Sequence, residues 1–185
     1  MENKQALLIG ATGMLAEAAR RLNADGWNLV LIARGREKLD RLVASCANPE
    51  LCRAAALDYT QESELRCAIR EASQARPGIS LVLAWIHSTA PNAPGIVMNE
   101  VAGADGLNPF RYVHVIGSGG DPEPIRIAAN RYPGCSYRQV RLGFKVEPGG
   151  SRWLNDSEIS QGALKAIGED RDVQVGLLEP RELRP

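Results

Sequence analysis

Apolar positions along this chain follow two alternating rhythms. Short runs in which nearly every residue is apolar predict strands covered on both faces. Between them, apolar residues recur every three or four positions, as on a helix with one buried face. The first run, Ala6-Leu7-Leu8-Ile9, breaks at Gly10. Met14 to Asn23 then carries Leu15, Ala18, Ala19 and Leu22 on one helical face, and Asp25-Gly26 stops it. Asn28-Leu-Val-Leu-Ile-Ala-Arg34 predicts a second strand, and Arg36 to Ser45 a helix with Leu39, Leu42 and Val43 inward. Leu51 to Leu57 predicts a third strand, closed by Asp58-Tyr59. A helix over Gln61 to Ala75, ended by Arg76-Pro77-Gly78, leads to the apolar strand Ile79 to Ile86.

The second half keeps the alternation. Pro94 to Gly103 reads as a helix, Tyr112-Val-His-Val-Ile116 as a fifth strand, and Gly117-Ser118-Gly119-Gly120 as its exit. A short helix from Pro122 to Asn130 is cut by Tyr132-Pro133-Gly134. Tyr137 to Val146 alternates as one long sixth strand before the turn Glu147-Pro148-Gly149-Gly150. Asn155 or Ser157 can cap a helix running through Ile167, and Val173 to Leu178 reads as a final strand. Strands alternating with helices of this size predict βαβ units. The expectation is a single doubly wound, Rossmann-like α/β domain over residues 1–185, with a mainly parallel sheet of about seven strands and helices on both faces.

Composition narrows the function classes. The 22 basic and 22 acidic side chains cancel, so net charge gives no pull toward nucleic acid or an anionic membrane. No run approaches the roughly 20 apolar residues that cross a bilayer. Polar Met1 to Gln5 leads straight into the first strand, leaving no room for a signal peptide, and a cytoplasmic location is expected. Cys46, Cys52, Cys67 and Cys135 show neither C-x-x-C spacing nor metal-ligand partners, so reduced thiols and no metal site are expected.

The candidate chemistry starts where the first strand meets its helix. Gly10-Ala-Thr12-Gly13-Met14-Leu15-Ala16 spaces small residues so that backbone can approach a bound group at a helix N-terminus, where free amides and the helix dipole favour an anion such as a pyrophosphate. The strict dinucleotide fingerprint is G-x-G-x-x-G/A, and here the spacing is shifted to Gly10-x-x-Gly13-x-x-Ala16. The second strand ends at Arg34, with Arg36 two residues on and no acid between them. An NAD site places an acid there for the ribose hydroxyls, whereas a 2′-phosphate needs a cation, so the pattern favours NADP over NAD. Arg36 could equally pair with Glu37 or Asp40 on an exposed helix.

With Ala33-Arg34-Gly35-Arg36-Glu37-Lys38-Leu39 after the second strand, Leu57-Asp58 after the third and Gly117-Ser118 after the fifth, the chain resembles the short-chain dehydrogenase/reductase family over nearly its whole length. Gly10-Ala-Thr-Gly13 looks like the family's atypical and extended members. Trp85-Ile-His-Ser-Thr-Ala90 and Arg152-Trp-Leu-Asn-Asp-Ser-Glu-Ile159 resemble a group of shortened ones. The resemblance implies that Asp58, with Tyr59 nearby, meets the adenine amino group; a helix N-cap aspartate is the other reading. It implies that Ala84, Trp85 and Ile86 stand where the family has N-A-G, with Trp85 forming a bulky wall. It also puts Gly143-Phe144 beside the nicotinamide, in the place of the family's Pro-Gly, and Trp153-Leu154 at the start of a substrate-covering segment.

The family's tyrosine and lysine pair is missing, since no Tyr-x-x-x-Lys occurs. Ser118 fits the position of the family's serine. Tyr137-x-x-x-Arg141 keeps the spacing, but on a strand those residues stand roughly 13 Å apart. His87, after the fourth strand, lies at the sheet edge where ligands bind in open α/β proteins, whereas His114 reads as a core histidine. The expectation is an NADP-binding reductase of a small carbonyl or imine, with Ser118 as hydrogen-bond donor and His87 or Tyr137 as proton source. The alternative is a dinucleotide-binding module without turnover, acting as a redox sensor or as a subunit. Expected partners are the dinucleotide, a small-molecule substrate and a second copy in a homodimer.

Overall fold

The computed structural model describes residues 4–74, 78–103 and 107–185; the expected helix stop at Arg76-Pro77 and the first three residues lie outside them. In chain order the strands are β1 (Gln5–Ile9), β2 (Asn28–Ala33), β3 (Cys52–Ala56), β4 (Ile79–Trp85), β5 (Phe110–Ile116), β6 (Cys135–Leu142), β7 (Phe144–Glu147), β8 (Gly150–Trp153) and β9 (Val173–Val175). Seven of them form one sheet in the order β3-β2-β1-β4-β5-β6-β9, with every pair parallel. The chain winds outward from β1 to β3 and then returns to place β4 on the other side of β1. The strand order therefore reverses between β1 and β4, and a crevice opens there at the carboxyl edge.

Side-chain alternation splits the core into two layers. Ala6 and Leu8 of β1 face one layer, with α1 (Ala16–Ala24), α2 (Arg36–Ala44) and α6 (Asp156–Glu169). Leu7 and Ile9 face the other, with α3 (Glu62–Gln74), α4 (Ala93–Ala102) and α5 (Glu123–Ala129). Every residue of β1 is buried, as a strand covered on both faces must be.

The expected sixth strand, Tyr137 to Val146, is in fact two strands. The Gly143 N–H donates to the Val175 carbonyl, and Phe144 exchanges backbone hydrogen bonds with Leu177 at 2.9 and 2.8 Å. These bonds pull the chain out of the sheet after Leu142 and start an antiparallel hairpin of β7 and β8. The final strand is correspondingly short, ending at Val175 before Gly176 at φ +76°.

Charge holds the hairpin to α6. Arg152 donates to both carboxylate oxygens of Glu158, each at 2.9 Å, and to Glu147 at 2.7 Å, while Lys145 pairs with Glu158 from the other strand. Those guanidinium and ammonium partners hold the Glu158 carboxyl far below the usual carboxylate range. Asn155 is the cap, accepting from the Glu158 N–H at 2.9 Å while the Glu158 carboxylate accepts from the Asn155 N–H at 2.9 Å.

A Cβ at position 143 would collide with the backbone of Leu177, which cannot yield without breaking the Phe144–Leu177 pairing. Gly143→Ala should therefore lower the unfolding free energy by about 2 kcal/mol or more. Gly149→Ala, where a Cβ meets nothing within 4 Å, should change it by less than about 0.5 kcal/mol. Chemical denaturation of the two variants checks both values.

Candidate functional site

The site begins at the exit of β1. Gly10 has φ +76°, and a Cβ there would lie 2.7 Å from the Trp85 carbonyl oxygen, so both backbone conformation and space require glycine. The N–H groups of Gly10 and Ala11 both donate to the Ile32 carbonyl, at 3.0 and 3.3 Å, which turns the chain across the end of β2. The next four amides, Thr12 to Leu15, meet no acceptor among the described residues. Gly13 is exposed and nothing lies within 4 Å of where its Cβ would be, so a bound group can approach the backbone there.

No side chain of its own caps α1, and a residue of α6 substitutes. The fully buried Ser160 accepts from the Ala18 N–H at 3.2 Å and donates to the Met14 carbonyl at 2.7 Å. One hydroxyl thus satisfies an orphan amide of the first turn and fixes the peptide that bounds the free amides.

From Gly10 and Thr12 a cleft of about 800 Å³ runs over the ends of β2 and β3. Arg34, Arg36, Lys38 and Arg41 line it, against the acids Glu37 and Asp58. Arg36 stands 3.9 Å from Asp40 in an exposed i,i+4 pair, whereas Arg34, Lys38 and Arg41 have no ion-pair partner among the described residues. Asp58 Oδ1 accepts from the Thr60 N–H at 3.0 Å and from its hydroxyl at 2.9 Å. These bonds hold the carboxyl below its usual range, and Arg34 adds a smaller pull. The Tyr59 hydroxyl accepts from the His87 N–H at 3.3 Å, joining the loops after β3 and β4.

Trp85 forms the bulky wall. Its side chain reaches from beside Gly10 to within 3.6 Å of where a Cβ of Gly117 would stand, and it lines two clefts. The second cleft, of about 360 Å³, is bounded by Ile86, Pro94, Ile116 and Ile125, with His87 also lining the first. His114 reaches it from β5. Only 4% exposed, its ring lies 3.0 Å from the Tyr137 hydroxyl through Nδ1, and burial pushes its pKa down to about 4.

Of the residues singled out in sequence, Gly10, Thr12, Arg34, Arg36, Asp58, Tyr59, Trp85 and His87 line the first cleft, and Ile86 lines the second. Gly13, Met14 and Leu15 belong to the run of free amides, the Leu15 side chain being fully buried. Ala84 is buried inside β4. The structure does not bring Ser118, Tyr137, Gly143 or Phe144 to either cleft. Tyr137 sits opposite Tyr112 in register, four residues short of the end of β5. Burial raises its pKa, and its ring stacks on Tyr112 beneath α5. The backbone of Gly143 and Phe144 is spent on residues 175 and 177, and the Phe144 side chain is fully buried. Ser118 is half-buried and makes no side-chain hydrogen bond among the described residues. Trp153 is 50% exposed on the hairpin.

Sequence reading missed Lys38, Arg41 and Ser160. The first two lie one and two helical turns from Gly35 and were readable as cations near a strand end. Ser160 signals itself only as a hydroxyl beside Ile159 on a stripe that continues with Ala163 and Ala166.

No protein-family model and no curated protein matches the chain. Solved structures do match. A Brucella melitensis short-chain dehydrogenase/reductase of the glucose/ribitol dehydrogenase type superposes with TM-score 0.74 at 18% identity, over 97% of this chain and 98% of that one. An alcohol dehydrogenase from the archaeon Thermococcus sibiricus, complexed with 5-hydroxy-NADP, gives 0.69 at 16% identity over 95% and 96%. An actinorhodin polyketide ketoreductase with NADPH gives 0.70 at 15% identity over 94% and 96%. The chain has the short-chain dehydrogenase/reductase fold. At these identities the likeness is one of fold, so the roles of individual residues rest on the geometry above. Among the described residues of this short-chain dehydrogenase/reductase fold, no helix is long and apolar enough to cross a membrane and no His, Cys, Asp and Glu cluster could hold a metal.

Ser160→Ala removes both bonds to the α1 N-terminus and leaves the Met14 carbonyl unpaired. A loss of about 1–3 kcal/mol is expected in chemical denaturation. His114 gives a pH signature. Folded, it stays neutral to about pH 4, while the unfolded chain takes up the proton near 6.5. The unfolded state therefore binds the extra proton between those values, and stability is complete above about 6.5 and lost as pH falls toward about 4. The groups facing His114 are the Tyr112 and Tyr137 rings, with His87 and Asp121 across the cleft. Between pH 7 and 4.5 the loss should be about 2–3 kcal/mol at roughly 1.4 kcal/mol per unit. His114→Gln should flatten that slope in chemical denaturation across this pH range.

Proposed function

We propose that this chain binds NADP along the first cleft and reduces a small carbonyl or imine compound. The observation that carries this reading is the set of cations at the end of β2, three of them without ionic partners among the described residues, beside a run of amides that meet no acceptor among those residues. A 2′-phosphate is a compact anion that guanidinium groups bind through paired N–H donors, and the uncapped N-terminus of α2 at Gly35 adds backbone amides of the same polarity. Thr12 to Leu15 would hold the pyrophosphate on main-chain N–H groups. Asp58 keeps Oδ2 available to accept from the adenine amino group, since Oδ1 is engaged by Thr60.

When bound, NADPH supplies a hydride from nicotinamide C4. The chain would orient it along the Trp85 wall and deliver a proton to the reduced product. His87 is the titratable group at the junction of the two clefts. Its Nδ1 accepts from the Thr89 N–H at 3.4 Å, so in the neutral ring Nε2 carries the proton and would hydrogen-bond the substrate oxygen; the proton delivered to the product would come from the imidazolium form, which returns to the neutral ring. The NADPH and 5-hydroxy-NADP named with two of the matching structures support the choice of cofactor.

In thermal denaturation NADPH should raise the melting temperature well above the shift given by NADH. Arg34→Glu should weaken NADPH binding by roughly ten- to a hundredfold, the worth of a charge-assisted hydrogen bond to phosphate, and reverse the order of the two coenzymes. Equal shifts in the wild type would remove the NADP assignment. Oxidation of NADPH by small ketones, aldehydes and imines tests turnover, and binding without turnover on any of them would leave a dinucleotide-binding module.

A further inference from the structure

The two clefts meet at Trp85 and His87 but are opposite in character. The first gathers four cations, whereas among the described residues the second has no lysine or arginine in its lining and one carboxylate, Asp121. That carboxylate is already engaged, Oδ1 accepting from the Glu123 N–H at 3.0 Å. The walls are mostly apolar, with Ser88, His87 and Asp121 as partly or fully exposed polar residues, and among the described residues the one buried polar residue in the lining is His114.

The state of the His114 ring follows from its neighbours. The Tyr137 hydroxyl lies 3.0 Å from Nδ1 and has no other partner among the described residues. A phenol has one proton to give. Donated to Nδ1, that proton is satisfied; if Nδ1 instead carried the ring proton, the buried phenol proton would be orphaned in the core. Nδ1 is therefore the acceptor, and Nε2 carries the ring proton. Nε2 has no partner among the described residues and is not among the polar atoms sealed from solvent. It is a fixed donor on a residue that lines a mostly apolar cavity, and burial keeps the ring uncharged at neutral pH.

We propose that the second cleft binds a small, uncharged, largely apolar molecule through a carbonyl-type oxygen that accepts from His114 Nε2–H, with Tyr137 as the positioning residue that fixes the tautomer. Carboxylates and phosphates are disfavoured by the lack of any cation and by Asp121. A neutral imidazole donor polarises a carbonyl without needing to ionise. Use of this cleft as the substrate end of the NADP site rests on the function proposed above; the binding itself does not.

The probes are acetophenone and ethylbenzene, alike in shape and differing in the oxygen. Long-range ¹H–¹⁵N correlation on histidine-labelled protein should show His114 as the Nε2–H tautomer, and acetophenone should move its Nε2 signal. Ethylbenzene should bind about tenfold more weakly, the worth of one hydrogen bond made in a buried site. Tyr137→Phe should mix the tautomers and weaken acetophenone but not ethylbenzene. An Nδ1–H tautomer in the wild type, unmoved His114 signals at saturating acetophenone, or equal affinity for the two probes would each overturn the proposal. NADPH thermal shifts measured alongside keep the two readings apart. A His114 response without an NADPH shift removes the cofactor assignment alone, and the converse removes this one alone.

Discussion

The carbonyl of Ile32 accepts two amides from the neighbouring segment, those of Gly10 and Ala11, and the site depends on that double acceptance. A chain leaving a parallel strand would ordinarily pass directly into its crossover helix. Here the two bonds swing it across the end of β2 first, which requires a left-handed residue at position 10 and no side chain toward the Trp85 carbonyl. Past that bend, four successive amides are left without acceptors. Backbone polar groups withdrawn from water are almost always paired, and these stand instead at an open sheet edge beside the exposed Gly13, where free N–H groups at a helix N-terminus favour negative charge.

The local pattern carried most of the fold because the central strands β1, β2 and β4 are almost wholly apolar and the segments between them have a helical apolar period. It did not carry the break in the sixth strand. Gly143 fits an alternating run, and what ends that run is the backbone of residues 175 and 177, more than thirty positions away. β8 was equally hidden, since Gly150-Ser151-Arg152-Trp153 has no apolar period and is held by Glu147 and Glu158.

The same distinction runs through the site. Gly10, Arg34 and Asp58 could be placed from sequence because each closes a strand, and topology brings strand ends together. Ser118, Tyr137, Gly143 and Phe144 were placed by resemblance, which carries over a position in the chain but not the direction a side chain takes. In Tyr137 the direction is set by Tyr112 and His114, and it leads into the core. Net charge was equally silent on the contrast between the clefts. A chain with 22 charges of each sign is neutral whether these are mixed or segregated, and here four cations stand at one end of a crevice whose other end has none among the described residues.

Two residues of α6, Glu158 and Ser160, grip different parts of the molecule. Glu158 holds both strands of the β7–β8 hairpin, and Ser160 holds the Met14 carbonyl and the Ala18 amide. One helix thus ties the hairpin to the corner where β1 passes into α1. Because both grips belong to one helix, any shift of α6 against the sheet would strain the hairpin and the α1 corner together.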